Sequence, residues 1–141
     1  MPGPLRTFLF FWLPPGLYLG LIFLLSSLSS FPVSLPVEGI DKVVHAAEYS
    51  ILALLLTRAV STLTWIRTWF GVALFSLLLV AMVGTADEVY QSTVPDRDSD
   101  ALDALADVIG GILGMGVFLL FRRRLGGRNR ATGPVESRQG G

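Results

Sequence analysis

From Thr7 to Leu28 the chain carries no charge at all: TFLFFWLPPGLYLGLIFLLSSL. As a helix, rising 1.5 Å per residue, such a run crosses the ~30 Å hydrocarbon core of a bilayer. A helix also pairs its own backbone donors and acceptors, as hydrocarbon demands. Pro14 and Pro15 interrupt the run and are expected to kink it, with neighbouring helices satisfying the freed carbonyls. A cleaved leader is the rival reading, since Arg6 precedes the run and serines follow it. The run exceeds the usual ~7–15-residue leader core and lacks a small-x-small cleavage site, so it is read as a retained span.

Three more segments share this character. Asp41–Val60 reads DKVVHAAEYSILALLLTRAV, polar at its start and apolar to its end at Arg58. Trp69–Gln91 is uncharged until Asp87 and Glu88. Asp100–Phe121 opens with acids and closes on Arg122, Arg123 and Arg124, which are expected to stop the helix. Loops fall at Ser29–Ile40, with Pro32, Pro36 and Gly39, at Ser61–Thr68, and at Ser92–Ser99, where Pro95 breaks the third helix. Asp41 is expected to cap the second helix, and Ser99 or Asp100 the fourth. With 52% hydrophobic and 16% charged residues in 141, the chain suits one membrane domain better than a soluble one. The expected fold class is all-α, an integral membrane bundle of four transmembrane helices. There is no cysteine, which excludes disulfides and thiolate metal sites. No repeat at solenoid periods is visible.

Charge segregation sets the expected topology. Arg6, Arg58, Arg67, Arg122, Arg123, Arg124, Arg128, Arg130 and Arg138 lie on the side of the termini and the Ser61–Thr68 turn, against Glu136 alone. Lys42 and Arg97 lie on the other side with all remaining acids. The positive-inside rule then puts both termini in the cytoplasm and the acidic loop outside, in the cytoplasmic membrane. Trp65 and Trp69 flank the inner turn at the level of an interfacial belt.

The outer ends carry the chemistry. Asp41, His45, Glu48 and Tyr49 form one stripe of the second helix; Asp87, Glu88 and Gln91 share an arc of the third; Asp100, Asp103 and Asp107 line the fourth. Glu48 and Asp107 fall about 10 Å inside their helix starts. Acids at that depth face a bundle interior or a wet cavity, because lipid contact costs kilocalories. The expected shape is a polar funnel open to the outside. Asp87 and Glu88 meet the unfavourable end of their helix dipole and need a cation, donors or a proton. Arg97 is expected to clamp Glu88 or Asp103. For Asp41, Asp96, Asp98 and Asp100 the plain account is capping and solvated charge, and for His45 alone a structural hydrogen bond. Ala106, Gly110 and Gly114 form a small-xxx-small packing stripe. The arginine run at 122–124 is a topological anchor and a contact for anionic lipids.

DKVVHAAEYSILALLL and DEVYQSTVPDRDSDALDALADVIGGILG resemble the two signatures of the VanZ-like membrane protein family. The first is a DK pair with His and Tyr following. The second is an E-x-x-Q helix end, a Pro-x-Arg loop and D-x-x-x-N/D-x-x-G opening the last helix. By position the matches are Asp41, Lys42, His45, Tyr49, Glu88, Gln91, Pro95, Arg97, Asp103, Asp107, Gly110 and Gly114. The Ser26–Ser27 pair closing the first span is similar too. Asp107 stands where many members have Asn, and Asp96 where Gly is common. The resemblance implies a VanZ-like four-helix domain at 7–121; by charge and composition a short cytoplasmic segment at 1–6 precedes it and a basic tail at 122–141 is expected to be disordered. The resemblance further implies association with glycopeptide resistance, teicoplanin especially, and supplies no mechanism.

Two functions compete. One is envelope protection by binding a lipid head group, cell-wall precursor or lipoglycopeptide, with Asp41, Lys42, His45, Glu48, Tyr49, Glu88, Gln91, Arg97, Asp103 and Asp107 as ligand-binding candidates. The other is a membrane-embedded hydrolase or transferase on an envelope lipid or precursor. There Glu88 or Asp103 would be the base, His45 an acid or metal ligand, Arg97 an anion clamp, and a divalent metal the cofactor. No G-x-S-x-G motif supports a serine nucleophile. A transporter fits poorly, because the inner halves of the second, third and fourth spans offer no polar path. Membrane lipids are the expected partners, and no nucleic-acid recognition fold is visible.

Overall fold

The computed structural model describes residues 3–28, 39–95 and 101–131. Among them all regular secondary structure is helical, with no strand. The first helix, Pro4–Ser26, is followed by the second, Ile40–Val60, the third, Trp69–Gln91, and the fourth, Ala101–Ala131. All four contain a stretch long and apolar enough to cross a membrane. This is the all-α bundle expected from the apolar runs.

Each helix differs in detail from what its sequence suggests. In the first, Phe8–Trp12 winds as a π-helix between the α-helical Pro4–Thr7 and Leu13–Ser26. Pro14 and Pro15 offer no N–H and crowd the preceding turn, so the backbone widens there, and the N–H of Leu13 reaches back to the carbonyl of Phe8. The second helix starts one residue early. Gly39 is its N-cap at φ +83°, a left-handed conformation that glycine adopts without a steric penalty. Asp41 therefore does not cap. It sits in the first turn, where its charge still suits the helix dipole. The third helix has its cap at Thr68, whose Oγ1 accepts from the N–H of Gly71 at 3.0 Å. The fourth runs through Arg122–Arg124 to Ala131, so the arginines do not stop the helix. Charge ends a membrane span, but arginine is a good helix former. The disordered tail expected from residue 122 is thus helical as far as 131; residues 132–141, like Ser99 and Asp100, lie outside the described residues.

The second helix is the most enclosed, with 39% of its apolar window buried against 11% in the first. Its largest contact is with the fourth helix, then with the third, and it also touches the first. Ile22, Tyr49, Leu52, Ala53 and Val80 form a core, with Tyr18, Leu56 and Val83 packed against it. Leu17, Leu24, Phe70, Leu78, Met82, Leu113 and Leu120 point outward and are well exposed. Apolar exposure on this scale suits contact with lipid tails rather than water. Buried hydroxyls bond within their own helices: Thr57 Oγ1 donates to Ala53 O at 2.7 Å and Ser76 Oγ to Val72 O at 2.7 Å.

Parallel approach of the second and fourth helices depends on glycine. A Cβ on Gly110 would collide with the backbone of Ala46, and one on Gly114 with that of Ser50. The gap is closed by Ser50 Oγ, which donates to Gly110 O at 2.9 Å. Gly111 meets Val80 of the antiparallel third helix, while Gly116 faces open space. At the opposite end the Arg58 guanidinium lies 4.7 Å from the Phe11 ring and that of Arg122 3.3 Å from the Trp69 ring. Arginine and aromatic side chains thus gather at one end and carboxylates at the other. Gly114→Val should destabilise the purified protein by roughly 3 kcal/mol. Gly116→Ala should leave it unchanged or raise its stability by up to about 1 kcal/mol. Thermal unfolding of both variants in one detergent measures the contrast.

Candidate functional site

The parallel register of the second and fourth helices pairs their polar stripes residue by residue. At the rim, Lys42 Nζ donates to Asp103 Oδ1 at 3.0 Å and to Asp41 Oδ2 at 3.1 Å. One turn deeper, His45 Nδ1 lies 3.1 Å from Asp107 Oδ1, the N–H donating to the carboxylate in the tautomer with hydrogen on Nδ1. Asp107 is completely buried, and His45 nearly so. A further turn in, Tyr49 OH donates to Asp87 Oδ2 at 3.5 Å.

The third helix closes the centre. Its antiparallel course sets Gly84 beside Asp107: a Cβ at Gly84 would stand 2.8 Å from Asp107 Oδ2. The missing side chain is what lets a carboxylate sit between helices. Asp87 and Glu88 follow one turn along, both buried. Gln91 Nε2 donates to Asp87 Oδ2 at 3.0 Å and to Ser26 Oγ at 3.2 Å, which ties in the end of the first helix. His45, Glu88 and Asp107, one from each of three helices, bring ligand atoms within 4.8 Å of one another.

Of the residues singled out from sequence, Lys42, His45, Tyr49, Glu88, Gln91, Asp103 and Asp107 meet at this end of the bundle. Asp41 stays at the exposed rim, held by Lys42. Glu48 is half-buried on the second helix and outside the His45–Glu88–Asp107 group. Arg97 lies outside the described residues, so its expected clamp on Glu88 or Asp103 does too; within the described residues Lys42 is the cation bonded to Asp103. Asp87 and Ser26, noted in the sequence but not among the ligand-binding candidates, and Gly84, which was not singled out, build the floor of the site. A signal existed for Asp87: it stands four residues before Gln91, on the same face.

Among the described residues the charge inventory is lopsided. Asp87, Glu88, Asp103 and Asp107 are all buried, facing Lys42 and His45. Asp87 Oδ1 and Asp107 Oδ2 have no hydrogen-bond partner among the described residues. Buried carboxylate oxygens are ordinarily paired, because each one desolvated and left alone costs about 1–3 kcal/mol or more. Such an arrangement suits the binding of something cationic, or proton transfer to a ligand reaching the centre.

Four membrane-spanning helices with a buried His–carboxylate centre at one end define a multi-pass membrane protein with a polar intramembrane site. The family model described as VanZ/LLP1 matches residues 7–122, and the chain belongs to that VanZ-like family. Comparison with curated proteins and with solved structures finds no match.

The rim pair tests how far the centre depends on cross-helix electrostatics. Lys42 and Asp103 side chains are 29% and 10% exposed, so the pair is largely desolvated. A double-mutant cycle of Lys42→Met and Asp103→Asn should give a coupling of about 1–2 kcal/mol in thermal or denaturant unfolding, the double variant losing less stability than the two single variants summed.

Proposed function

We propose that this VanZ-like protein works at the outer face of the cytoplasmic membrane. It would protect the envelope by engaging a lipid head group, a lipid-linked cell-wall precursor or a lipoglycopeptide through its polar centre, with resistance to teicoplanin-type glycopeptides as the output. One observation carries the reading: three helices place His45, Glu88 and Asp107 at intramembrane positions, a cost that packing alone does not justify. Family membership supplies the context. The arginines at the opposite end support the orientation, with both termini cytoplasmic.

A second reading is favoured by the burial itself. Asp107 and Asp87 are at most 1% exposed and keep oxygens without a hydrogen-bond partner among the described residues. A docking surface would leave its charges solvated until the ligand arrives, whereas enclosed, under-satisfied carboxylates suit a hydrolase or transferase acting on an envelope lipid or precursor.

Expression in a glycopeptide-sensitive Gram-positive host tests the first reading. Wild type should raise the teicoplanin inhibitory concentration several-fold, and His45→Ala, Glu88→Gln and Asp107→Asn should lower that gain at equal membrane abundance. No gain from wild type would sink the resistance role. Graded losses would favour a binder and complete losses an enzyme. For the orientation, a fluorescent protein fused to the C-terminus should fluoresce and alkaline phosphatase at the same position should be inactive; the reverse pattern would invert the topology.

A further inference from the structure

We propose that His45, Glu88 and Asp107 hold one divalent transition-metal ion of the zinc or manganese class. The site rests on the same polar centre as the envelope reading, but it stands or falls on separate measurements.

The donor set comes first. The three residues supply one imidazole and two carboxylates, a combination suited to Zn²⁺ or Mn²⁺. With no cysteine in the chain, thiolate-preferring ions such as Cu(I) have nothing to select them. Mg²⁺ demands a nearly regular oxygen shell and usually keeps several waters, which an imidazole among enclosed side chains does not favour. The ligand atoms lie within 4.8 Å of one another. Donors about 2.1 Å from an ion in a tetrahedral shell stand about 3.4 Å apart, so adjustment of about 1 Å or slightly more by side-chain rotation closes the set.

A second and independent observation points to a ligand. Asp107 is wholly buried and uses Oδ1 on His45, while Oδ2 has no hydrogen-bond partner among the described residues. The helix opposite gives up a side chain at that oxygen, since a Cβ on Gly84 would come within 2.8 Å of it. A purely structural network would meet such an oxygen with a hydroxyl or amide donor. Here the space is kept and no donor is supplied among the described residues. Asp87 Oδ1, also buried and without a hydrogen-bond partner among them, lies one helical turn on from Gly84 along the same helix.

The surroundings match those of a metal centre. His45 Nδ1 and Asp107 Oδ1 stand 3.1 Å apart, a spacing that two donors on one ion also have, so in a loaded site the neutral imidazole would ligate through Nδ1 in place of this hydrogen bond. Tyr49 and Gln91 hold Asp87, and Lys42 holds Asp103, so the flanking acids are fixed by their own partners. A dication would offset two of the carboxylate charges at a depth where uncompensated charge is costly. Each ligand comes from a different helix, so an ion here would also clamp the second, third and fourth helices together.

The full chain is purified in detergent without chelator, from cells grown with zinc and manganese, and its metal content is measured by plasma mass spectrometry. About one equivalent of zinc or manganese per chain is expected. Chelation should lower the melting temperature by several degrees, and re-addition of the same ion should restore it. His45→Ala and Asp107→Asn should fall below about a tenth of an equivalent, while Gly116→Ala, which faces open space on the fourth helix, should keep its metal. Should the buried variants fail to fold, X-ray absorption at the metal edge of wild type gives the ligand set directly, with one imidazole among oxygen donors expected. Monodisperse wild type with under about a tenth of an equivalent and no thermal response to either ion would overturn the proposal. Metal retained in both variants, or an edge spectrum without imidazole, would overturn it equally. Metal bound without antibiotic protection would remove the envelope reading alone, and protection by a metal-free protein would remove the metal site alone.

Discussion

The close contact of the second and fourth helices is the constraint on which the rest depends. Backbone meets backbone where Gly110 faces Ala46 and Gly114 faces Ser50, with no room for a side chain between them. Lipid tails are as apolar as the helices, so no hydrophobic drive pushes helices together in a bilayer; close packing and interhelical hydrogen bonds hold them instead. The Ser50–Gly110 bond supplies one of these at the tightest point. Once this register is set, Lys42 must face Asp103 and His45 must face Asp107. The polar pairs follow from the packing of residues that carry no chemistry.

The third helix meets the opposite demand. It has to approach closely enough to bring Asp87 and Glu88 into the centre while leaving Asp107 somewhere to go. Two glycines make this possible. Gly111 accommodates Val80, and Gly84 leaves room for the Asp107 carboxylate. Burying four acids within two spans carries a large desolvation penalty. The helices offset part of that penalty with Lys42, His45, Tyr49 and Gln91, and leave Asp87 Oδ1 and Asp107 Oδ2 without a hydrogen-bond partner among the described residues.

Much of this is legible in the residues. Uncharged runs of spanning length fix the helices, because hydrocarbon tolerates little else. The stripe of Asp41, His45 and Tyr49 and that of Asp103 and Asp107 follow from helical periodicity, and the four-residue spacing of Ala106, Gly110 and Gly114 announces a close contact. The misses have physical reasons. Asp41 has the look of a cap because a leading acid usually is one, but Gly39 can take the left-handed conformation and begin the helix earlier. Arg122–Arg124 have the look of an end because charge ends a span, yet the same residues favour helix. Asp87 is hard to single out beside Glu88, since adjacent acids at a helix end differ in burial only through what packs against them.

By itself, then, the sequence determined that the chain spans a membrane as four helices, that its basic and acidic ends are opposed, and which faces carry polar groups. Those are properties of single segments, set by hydropathy, charge and a period of 3.6 residues. Only the tertiary structure decided which helix lies against which. That choice makes His45, Glu88 and Asp107 neighbours, gives Asp103 to Lys42, brings Ser26 to Gln91, and places Gly84 opposite a carboxylate. Such relations depend on shape and register between segments far apart in the chain, and no local pattern encodes them.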